Sequence, residues 1–430
     1  MSTLSVCMIV KDEAARLSQC LESVGDIATE VIVCDTGSTD ETVAIATQHG
    51  AQVHSIDWPD DFAAARNQSL KPATGDWILV IDADETLTEE GRQHLQALLA
   101  DAPISTPSGP PVAAEQVLLV TWLRQEMDAR QSPYTQVARL FRNHPRLQFE
   151  RPYHETIDDS ALTLMQAEPH WRAVSLNTVA LTHTGYSDAA IAAKDKFYRA
   201  ERRMGQYLAQ HPQDAYLCNK LGALYGAQGD WAKGLTYLEQ GLAQAQKPVP
   251  DHKPTATDGM SDANVRPLDT LTWYELHYHA GLANRSLNRL QQATRHYQQA
   301  LAAPTSDRLK LGAYLNLGSL YKHQKKLDQA IELFEAATCA APEQAVAHYN
   351  LGVAHRAKGY LDSALAAYDQ AILLSPDYAE AHQNRAAVLF KLGRLAESRA
   401  AFQTAIGLYK ETNPAAAIRL QQGIHQLGLG

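Results

Sequence analysis

WILVIDADET, from Trp77 to Thr86, joins a short apolar run to two aspartates one residue apart and then a glutamate. The run is too short for a packed helix and rich in β-branched residues, so it reads as a strand buried on both faces. The end of such a strand in an open α/β sheet is where ligands usually sit. Alternation along a continuing strand would put Asp82 and Asp84 on one side. Two carboxylates pointing one way suit a hard divalent ion, Mg2+ or Mn2+, shared with substrate phosphate oxygens. The same residues also suit a solvated strand-to-helix turn, with Asp84 or Thr86 as the helix cap.

Working outward, strand and helix signals alternate on the N-terminal side. Leu4 to Val10, Glu30 to Cys34 and Gln52 to Ile56 read as strands. Ala14 to Val24, Glu41 to His49 and Phe62 to Leu70 read as helices. That order predicts a mostly parallel sheet with right-handed crossovers. Neither G-x-G-x-x-G nor the P-loop pattern is present, which disfavours dinucleotide and P-loop chemistry. Asp35 follows a strand and precedes Gly37-Ser38-Thr39, so it should emerge at the same sheet edge as Asp82 and Asp84. There it could take the imide N–H of a uracil or a ribose hydroxyl, or close an Asx-turn on its own backbone.

Four segments then form a linked set: MIVKDE (Met8 to Glu13), VIVCDTGSTDET (Val31 to Thr42), DDFAAARNQSL (Asp60 to Leu70) and GDWILVIDADE (Gly75 to Glu85). In order and spacing they resemble family 2 glycosyltransferases, in the branch of lipopolysaccharide-core glucosyltransferases and bacteriocin-modifying enzymes. The resemblance implies a GT-A fold, a nucleotide-diphosphate sugar donor (a UDP-sugar by analogy), a divalent metal and transfer with inversion. By position, it implies that Val10 and Glu13 line the nucleotide pocket and Asp35 contacts the base. Arg66 would meet the base or diphosphate, Asp82 the ribose or metal, and Asp84 the metal. Asp12 stands where the family often has asparagine. Arg66 could otherwise be a surface residue paired with Asp60 or Asp61.

On the C-terminal side, Asp101 to Glu115 is rich in Pro, Ser and Ala and reads as a loop or linker. Gln116 to Trp122 reads as another strand. In QVARLFRNHPRLQFERPYHETI (Gln136 to Ile157), the branch carries a similar R-x-F-R segment followed by a His-Glu pair. Inverting transfer needs a base on the acceptor hydroxyl. Glu155 is the first choice, His154 would position acceptor or donor, and Asp158 and Asp159 stand in reserve. His154 and Glu155 could also be a strand-end pair. Arg139 and Arg142 would neutralise phosphate or pair with acids. The resemblance makes His183 a candidate to complete the metal shell, against an ordinary structural histidine. The basic run Lys194 to Arg203 reads as a solvated helical face, or as an attractor of diphosphate or anionic lipid.

From about Asp214 the pattern becomes a repeat. Leu317-Gly318, Leu351-Gly352 and Arg385-Ala386 recur every 34 residues, in step with Phe334, Tyr368 and Phe402. Earlier copies run from Leu221-Gly222 to Gly241 and from Ala280-Gly281 to Ala300, making five. These resemble tetratricopeptide repeats, an all-α solenoid, so the division expected is a GT-A domain over 1–205 and a repeat domain over 206–430. A flexible polar insert is expected over about 247–269. Asn316, Asn350 and Asn384 share one repeat position and resemble the peptide-binding asparagine ladder of O-linked N-acetylglucosamine transferases. They also suit bonding within the scaffold. Lysine and histidine hold that position at 220 and 279.

Composition sets outer bounds. A net charge of −10 disfavours a general nucleic-acid binder. No apolar stretch approaches the roughly 18 residues of a membrane span. The N-terminal residues do not resemble a signal peptide, and five scattered cysteines without C-x-x-C fit a reducing compartment. The expectation is a cytoplasmic, metal-dependent inverting glycosyltransferase, able to touch the inner membrane face, whose repeats recruit a protein, peptide or glycan acceptor or a partner. The alternatives are an inactive repeat scaffold and a transferase acting on lipid-linked or lipopolysaccharide sugar.

Overall fold

The computed structural model describes residues 1–106, 109–127, 129, 132–184, 189–245 and 267–426. Its strands are β1 (Leu4–Val10), β2 (Glu30–Asp35), β3 (Gln52–Ser55), β4 (Trp77–Val80), β5 (Glu85–Leu87), β6 (Ile104–Thr106), β7 (Gly109–Val112), β8 (Val117–Glu126), β9 (Tyr134–Arg142) and β10 (Arg172–His183). The main sheet runs β3-β2-β1-β4-β9-β8-β10-β5. β1, β2, β3 and β4 pair in parallel, as does β10 with β8. The other contacts of this sheet are antiparallel. The sheet is thus mostly parallel, with an antiparallel strand inserted at its middle.

Helices α1 (Leu17–Val24), α2 (Thr42–Gln48), α3 (Phe62–Leu70), α4 (Glu89–Leu99) and α5 (Asp158–Ala167) flank it. Alternation along β4 explains why it is apolar throughout. Trp77 and Leu79 pack into one core with Leu17 and Leu21 of α1 and Leu95 of α4. Ile78 and Val80 face the other, with Phe149, Ile157 and Leu164. Asp61 caps α3 by accepting from Ala64 N at 2.9 Å, and Thr88 caps α4 by accepting from Gly91 N at 3.0 Å. The α4 cap is therefore neither Asp84 nor Thr86. The strand also stops at Val80, and Glu85 N donates to Asp82 O at 3.0 Å, closing a turn. Strand alternation consequently does not orient Asp82 and Asp84.

The segment 101–115, read as a loop, instead contains the antiparallel pair β6–β7. Ile104 pairs with Val112 and both pack against the sheet core, two apolar anchors too few to make a visible period.

Long helices follow: α6 (Ala189–Gln210), α7 (Ala215–Ala227), α8 (Trp231–Gln244), α9 (Pro267–Ser286), α10 (Leu290–Leu301), α11 (Leu311–His323), α12 (Leu327–Ala340), α13 (Ala345–Lys358), α14 (Leu361–Leu374), α15 (Ala379–Lys391), α16 (Leu395–Thr412) and α17 (Pro414–Gln426). Within α6 to α9, and again within α10 to α17, successive helices pack against one another in the manner of tetratricopeptide repeats. At Gly318 and Gly352 a Cβ would come within 2.6 Å and 2.7 Å of Phe334 and Tyr368, the close approach that the Leu-Gly pattern encodes.

The chain divides into two compact units, one of Met1–Ala129, Pro133–Arg289 and Ala302–Thr305, the other built mainly of Leu290–Leu301 and Ser306–Gly430. Helices α6 to α9 thus belong to the unit that holds the sheet. Of the insert expected over 247–269, residues up to 266 lie outside those described, and Pro267 already opens α9. In the basic run Ala200, with Met204 just after it, is buried against Leu217 and Leu221, and Arg203 pairs with Asp60. The side chains of Lys194 and Lys196 lie outside the described residues. Among the described residues no helix is long and apolar enough to cross a membrane.

Candidate active site

The parallel strands bring their C-terminal ends to one edge. Val10 lies level with Asp35, and Cys7 with Val80, so Asp82 emerges one strand beyond the Val10–Asp35 pair. Two interstrand spacings separate β2 from β4, about 10 Å. Asp35 is 5% exposed and accepts from Gly37 N at 3.0 Å and Ser38 N at 3.1 Å. That is the Asx-turn, and Gly37 takes the positive φ of +100° at the bend. A carboxylate offers about four acceptor positions, so the turn leaves Asp35 able to accept again. Asp12, also at positive φ, holds the opposing loop by accepting from Thr39 N at 2.7 Å. The Glu13 amide donates to Thr42 Oγ1 at 2.7 Å.

Arg66 is not a surface residue. It is 4% exposed and bridges two carboxylates far away in the chain. Nη2 donates to Asp82 Oδ1 at 2.7 Å and Nε to Glu155 Oε1 at 2.5 Å. The buried Nη1 has no hydrogen-bond partner among the described residues. Arg139 of β9 donates to the second Asp82 oxygen at 2.7 Å. Burial pushes the Asp82 carboxyl up, but Arg139 and Arg66 outweigh it and hold Asp82 well below the usual carboxylate range.

Asp84 turns to a different partner. Its Oδ2 lies 3.1 Å from His183 Nε2, and Glu126 Oε2 lies 2.5 Å from the other ring nitrogen. Hydrogen bonds with Asp84 and Glu126 raise the imidazole to about 9. A carboxylate behind an imidazole is the arrangement that orients metal-binding histidines. Among the described residues no group of three His, Cys, Asp or Glu side chains is arranged to hold a metal ion.

His154 and Glu155 sit in a loop closed by the Glu150–Thr156 bridge. Asn67 of α3 pins its base through both the N–H and the carbonyl of Phe149. His154 takes φ +55° and is exposed, whereas the Glu155 side chain is 11% exposed against Arg66. Asp159 and Asp214, the α7 cap, both pair with Arg151. Asp158 begins α5 and has no ion-pair partner among the described residues. Burial, with Asp159 beside it, raises its carboxyl to about 6. Arg142 belongs to the scaffold: it stacks on Trp77 at 4.1 Å and donates to Ala114 O at 2.8 Å.

Several residues here were not singled out from the sequence. Glu85 is fully buried, accepting from Asp82 N at 2.9 Å and from Arg124 at 2.7 Å. Its place directly after the two aspartates was the available signal. Glu126 and Arg124 carried none, because β8 was read only as far as Trp122. At the shared repeat position, Nδ2 of Asn316 and Asn350 donates to the carbonyls of Gly312 and Val346, and Nδ2 of Asn384 to the Tyr349 hydroxyl.

Residues 5–173 match the family described as Glycosyl transferase family 2. Tetratricopeptide repeats match over 278–345, 315–372, 354–393 and 379–412. A TPR repeat-containing protein of Synechococcus elongatus is 42% identical over 342 residues, 80% of this chain and 76% of that one. An uncharacterized glycosyltransferase of Rickettsia felis is 31% identical over 203 residues, 47% of this chain and 69% of that one. The SPbeta prophage-derived glycosyltransferase SunS of Bacillus subtilis is 38% identical over 92 residues, 21% of this chain and 22% of that one. With the mostly parallel sheet and the helical array behind it, these likenesses make the chain a member of glycosyl transferase family 2 that carries C-terminal tetratricopeptide repeats.

Proposed function

We propose that the protein transfers a sugar, with inversion, from a nucleoside-diphosphate donor (a UDP-sugar) to an acceptor hydroxyl, and that it needs Mg2+ or Mn2+. The observation that carries this reading is Arg66, a buried cation that ties Asp82 to Glu155 and has one guanidinium nitrogen without a partner among the described residues. Such a nitrogen suits an anionic donor phosphate. Val10, Glu13 and Asp35 would line the base and ribose side. Asp84 and His183 would hold the ion, with donor phosphate and water filling the rest of the shell. Bound there, the ion would neutralise the departing diphosphate.

For the base we favour Asp158 over Glu155. Glu155 is tied to Arg66, while Asp158 has no ion-pair partner among the described residues and has the near-neutral pKa that suits proton transfer. Asp158 would take the acceptor proton as its oxygen attacks the anomeric carbon and the bond to diphosphate breaks opposite. Glu155 would then hold Arg66, and His154 would position acceptor or donor.

The repeats would recruit the acceptor or a partner. Asn316 is buried, so an extended peptide would meet only the carboxamides of Asn350 and Asn384, whose Nδ2 groups are bonded within the scaffold. The test is a panel of nucleotide sugars scored for hydrolysis with Mn2+ or Mg2+. One donor should be consumed, and EDTA or Asp84→Ala should abolish this. Full turnover by D84A in excess EDTA would remove the metal. Absence of any donor binding by calorimetry would leave an inactive scaffold.

A further inference from the structure

A cavity of about 320 Å³ opens beside Arg139 and runs along β8 and β9, away from Val10, Glu13 and Asp35. Gln136 and Arg139 contribute to its floor and Glu155 and Asp158 to one side. The facing wall comes from the helical array: Tyr216 and Lys220 of α7, Leu271 and Glu275 of α9. Tyr216 and Lys220 are one helical turn apart, as are Leu271 and Glu275, so each helix turns one face to the cavity. The adjoining residues, Leu217 and Leu221 on α7 and Leu276 and Ala280 on α9, enter apolar clusters, and Tyr216 packs against the first of these as well.

We infer that this α7–α9 wall is the acceptor subsite of the transferase and that it takes a neutral, polyhydroxylated sugar ring through Tyr216, Lys220 and Glu275. The inference rests on the transferase reading above. Position is the first argument: the cavity contains the proposed base and lies on the side of the sheet edge away from the nucleotide pocket. Charge is the second. Lys220 Nζ meets Glu275 Oε2 at 2.7 Å, and Asn219 Nδ2 donates to the same oxygen at 2.6 Å. Burial works against the lysine charge, but Glu275 outweighs it, so both partners stay ionised. His279 behind them, 2.8 Å from Asn219 Oδ1, is driven by burial down to about 4 and carries no charge at neutral pH. The wall therefore has no surplus charge for a phosphate or an ammonium. It offers charge-assisted donors and acceptors beside an aromatic ring, which Lys220 approaches to 4.8 Å. Arg151 also lies over that ring, at 5.1 Å, so the ring fixes the cations while sugar hydroxyls would be matched by the charge-assisted groups.

Sequence position supports the assignment. Lys220 and His279 stand where later repeats have Asn316, Asn350 and Asn384. Of the two, Lys220 lines the cavity.

The test is saturation-transfer NMR on the full chain with methyl glucoside and methyl N-acetylglucosaminide, alone and with uridine diphosphate. At least one glycoside should bind alongside the nucleotide rather than compete with it. The double variant Lys220→Gln/Glu275→Gln, checked for an intact melt, should lower glycoside affinity at least tenfold relative to nucleotide affinity. Tyr216→Leu should do the same. Failure of every glycoside to bind, while a nucleotide sugar is still hydrolysed, overturns the inference and leaves the transferase standing. So does transfer to serine or cysteine peptides alone. Glycoside binding without any donor hydrolysis would instead sink the transferase reading, and with it the acceptor role, leaving a sugar-binding wall alone.

Discussion

Arg66 Nη2 donates to Asp82 Oδ1 at 2.7 Å, joining a helix residue to the turn that ends the central strand. The same guanidinium holds Glu155, so three segments meet on one buried cation. Lysine has charge but no planar fork and cannot hold both carboxylates in this geometry. Arg66→Lys should lower kcat on the identified donor by about 10²-fold or more, and Arg66→Ala should also destabilise the fold by about 3 kcal/mol by leaving Glu155 unpaired and Asp82 on Arg139 alone. Donor turnover and urea unfolding on the same preparations separate the two effects. Unchanged kcat in R66K would remove Arg66 from the chemistry.

Asp158 makes opposite predictions for activity and stability. Its folded-state pKa, about 6, lies above the unfolded value, so between roughly pH 4 and 6 the folded chain binds more protons. Stability from this group is present at low pH and is lost as pH rises through that window. Asp158→Asn should therefore raise Tm at pH 7.5, by an amount corresponding to about 1–3 kcal/mol, with little change at pH 4. If Asp158 is the base, kcat/KM of the wild type should rise through an apparent pKa near 6, and that limb should vanish in D158N. A retained limb in D158N that disappears in E155Q would return the role to Glu155.

Glu85 tests how far the aspartate turn depends on a side chain that need not touch substrate. Both its oxygens accept, one from the Asp82 amide and one from Arg124. Glutamine would turn an NH2 toward one of those donors, leaving it unsatisfied in a buried site. Glu85→Gln should cost about 2–4 kcal/mol of stability, because Arg124 also loses a partner. It should lower kcat about tenfold or more by loosening Asp82. A melt and a turnover rate matching the wild type would show that the turn holds itself.

The parallel half of the sheet was legible because β1, β2 and β4 are self-contained apolar runs. Leu4–Val10 and the helix Phe62–Leu70 match their expected bounds. The antiparallel half was not. β9 and β10 mix polar residues into their alternation, and Ile104 and Val112 are single anchors within a proline-rich stretch. At the site, the sequence could nominate Asp82, Arg66 and Glu155 but not their joining, since that contact spans 89 positions and depends on loop closure. The alternation argument for Asp82 and Asp84 failed for a local reason: the strand ends at Val80, and a turn sends the two carboxylates to different partners. Likewise the repeat pattern shows where helices of this kind begin, whereas side-chain packing decides which of them join the sheet.

In the repeat array, Gly318 allows the next helix to approach until Phe334, itself fully buried, nearly touches the backbone. A Cβ there would lie 2.6 Å from Phe334 Cε1, well inside contact distance. The helix has no need of glycine for its own conformation, so alanine would gain helix propensity of about 1 kcal/mol and lose it to overpacking of about 1–3 kcal/mol or more. With the ring locked between two helices, the clash should win, and Gly318→Ala should lower Tm by several degrees. Shortening the opposing side chain makes the diagnosis specific: Phe334→Leu alone should destabilise, but G318A/F334L should be more stable than the sum of the single losses by about 0.5 kcal/mol or more. Additive losses would mean that the steric contact does not explain why the repeat carries glycine.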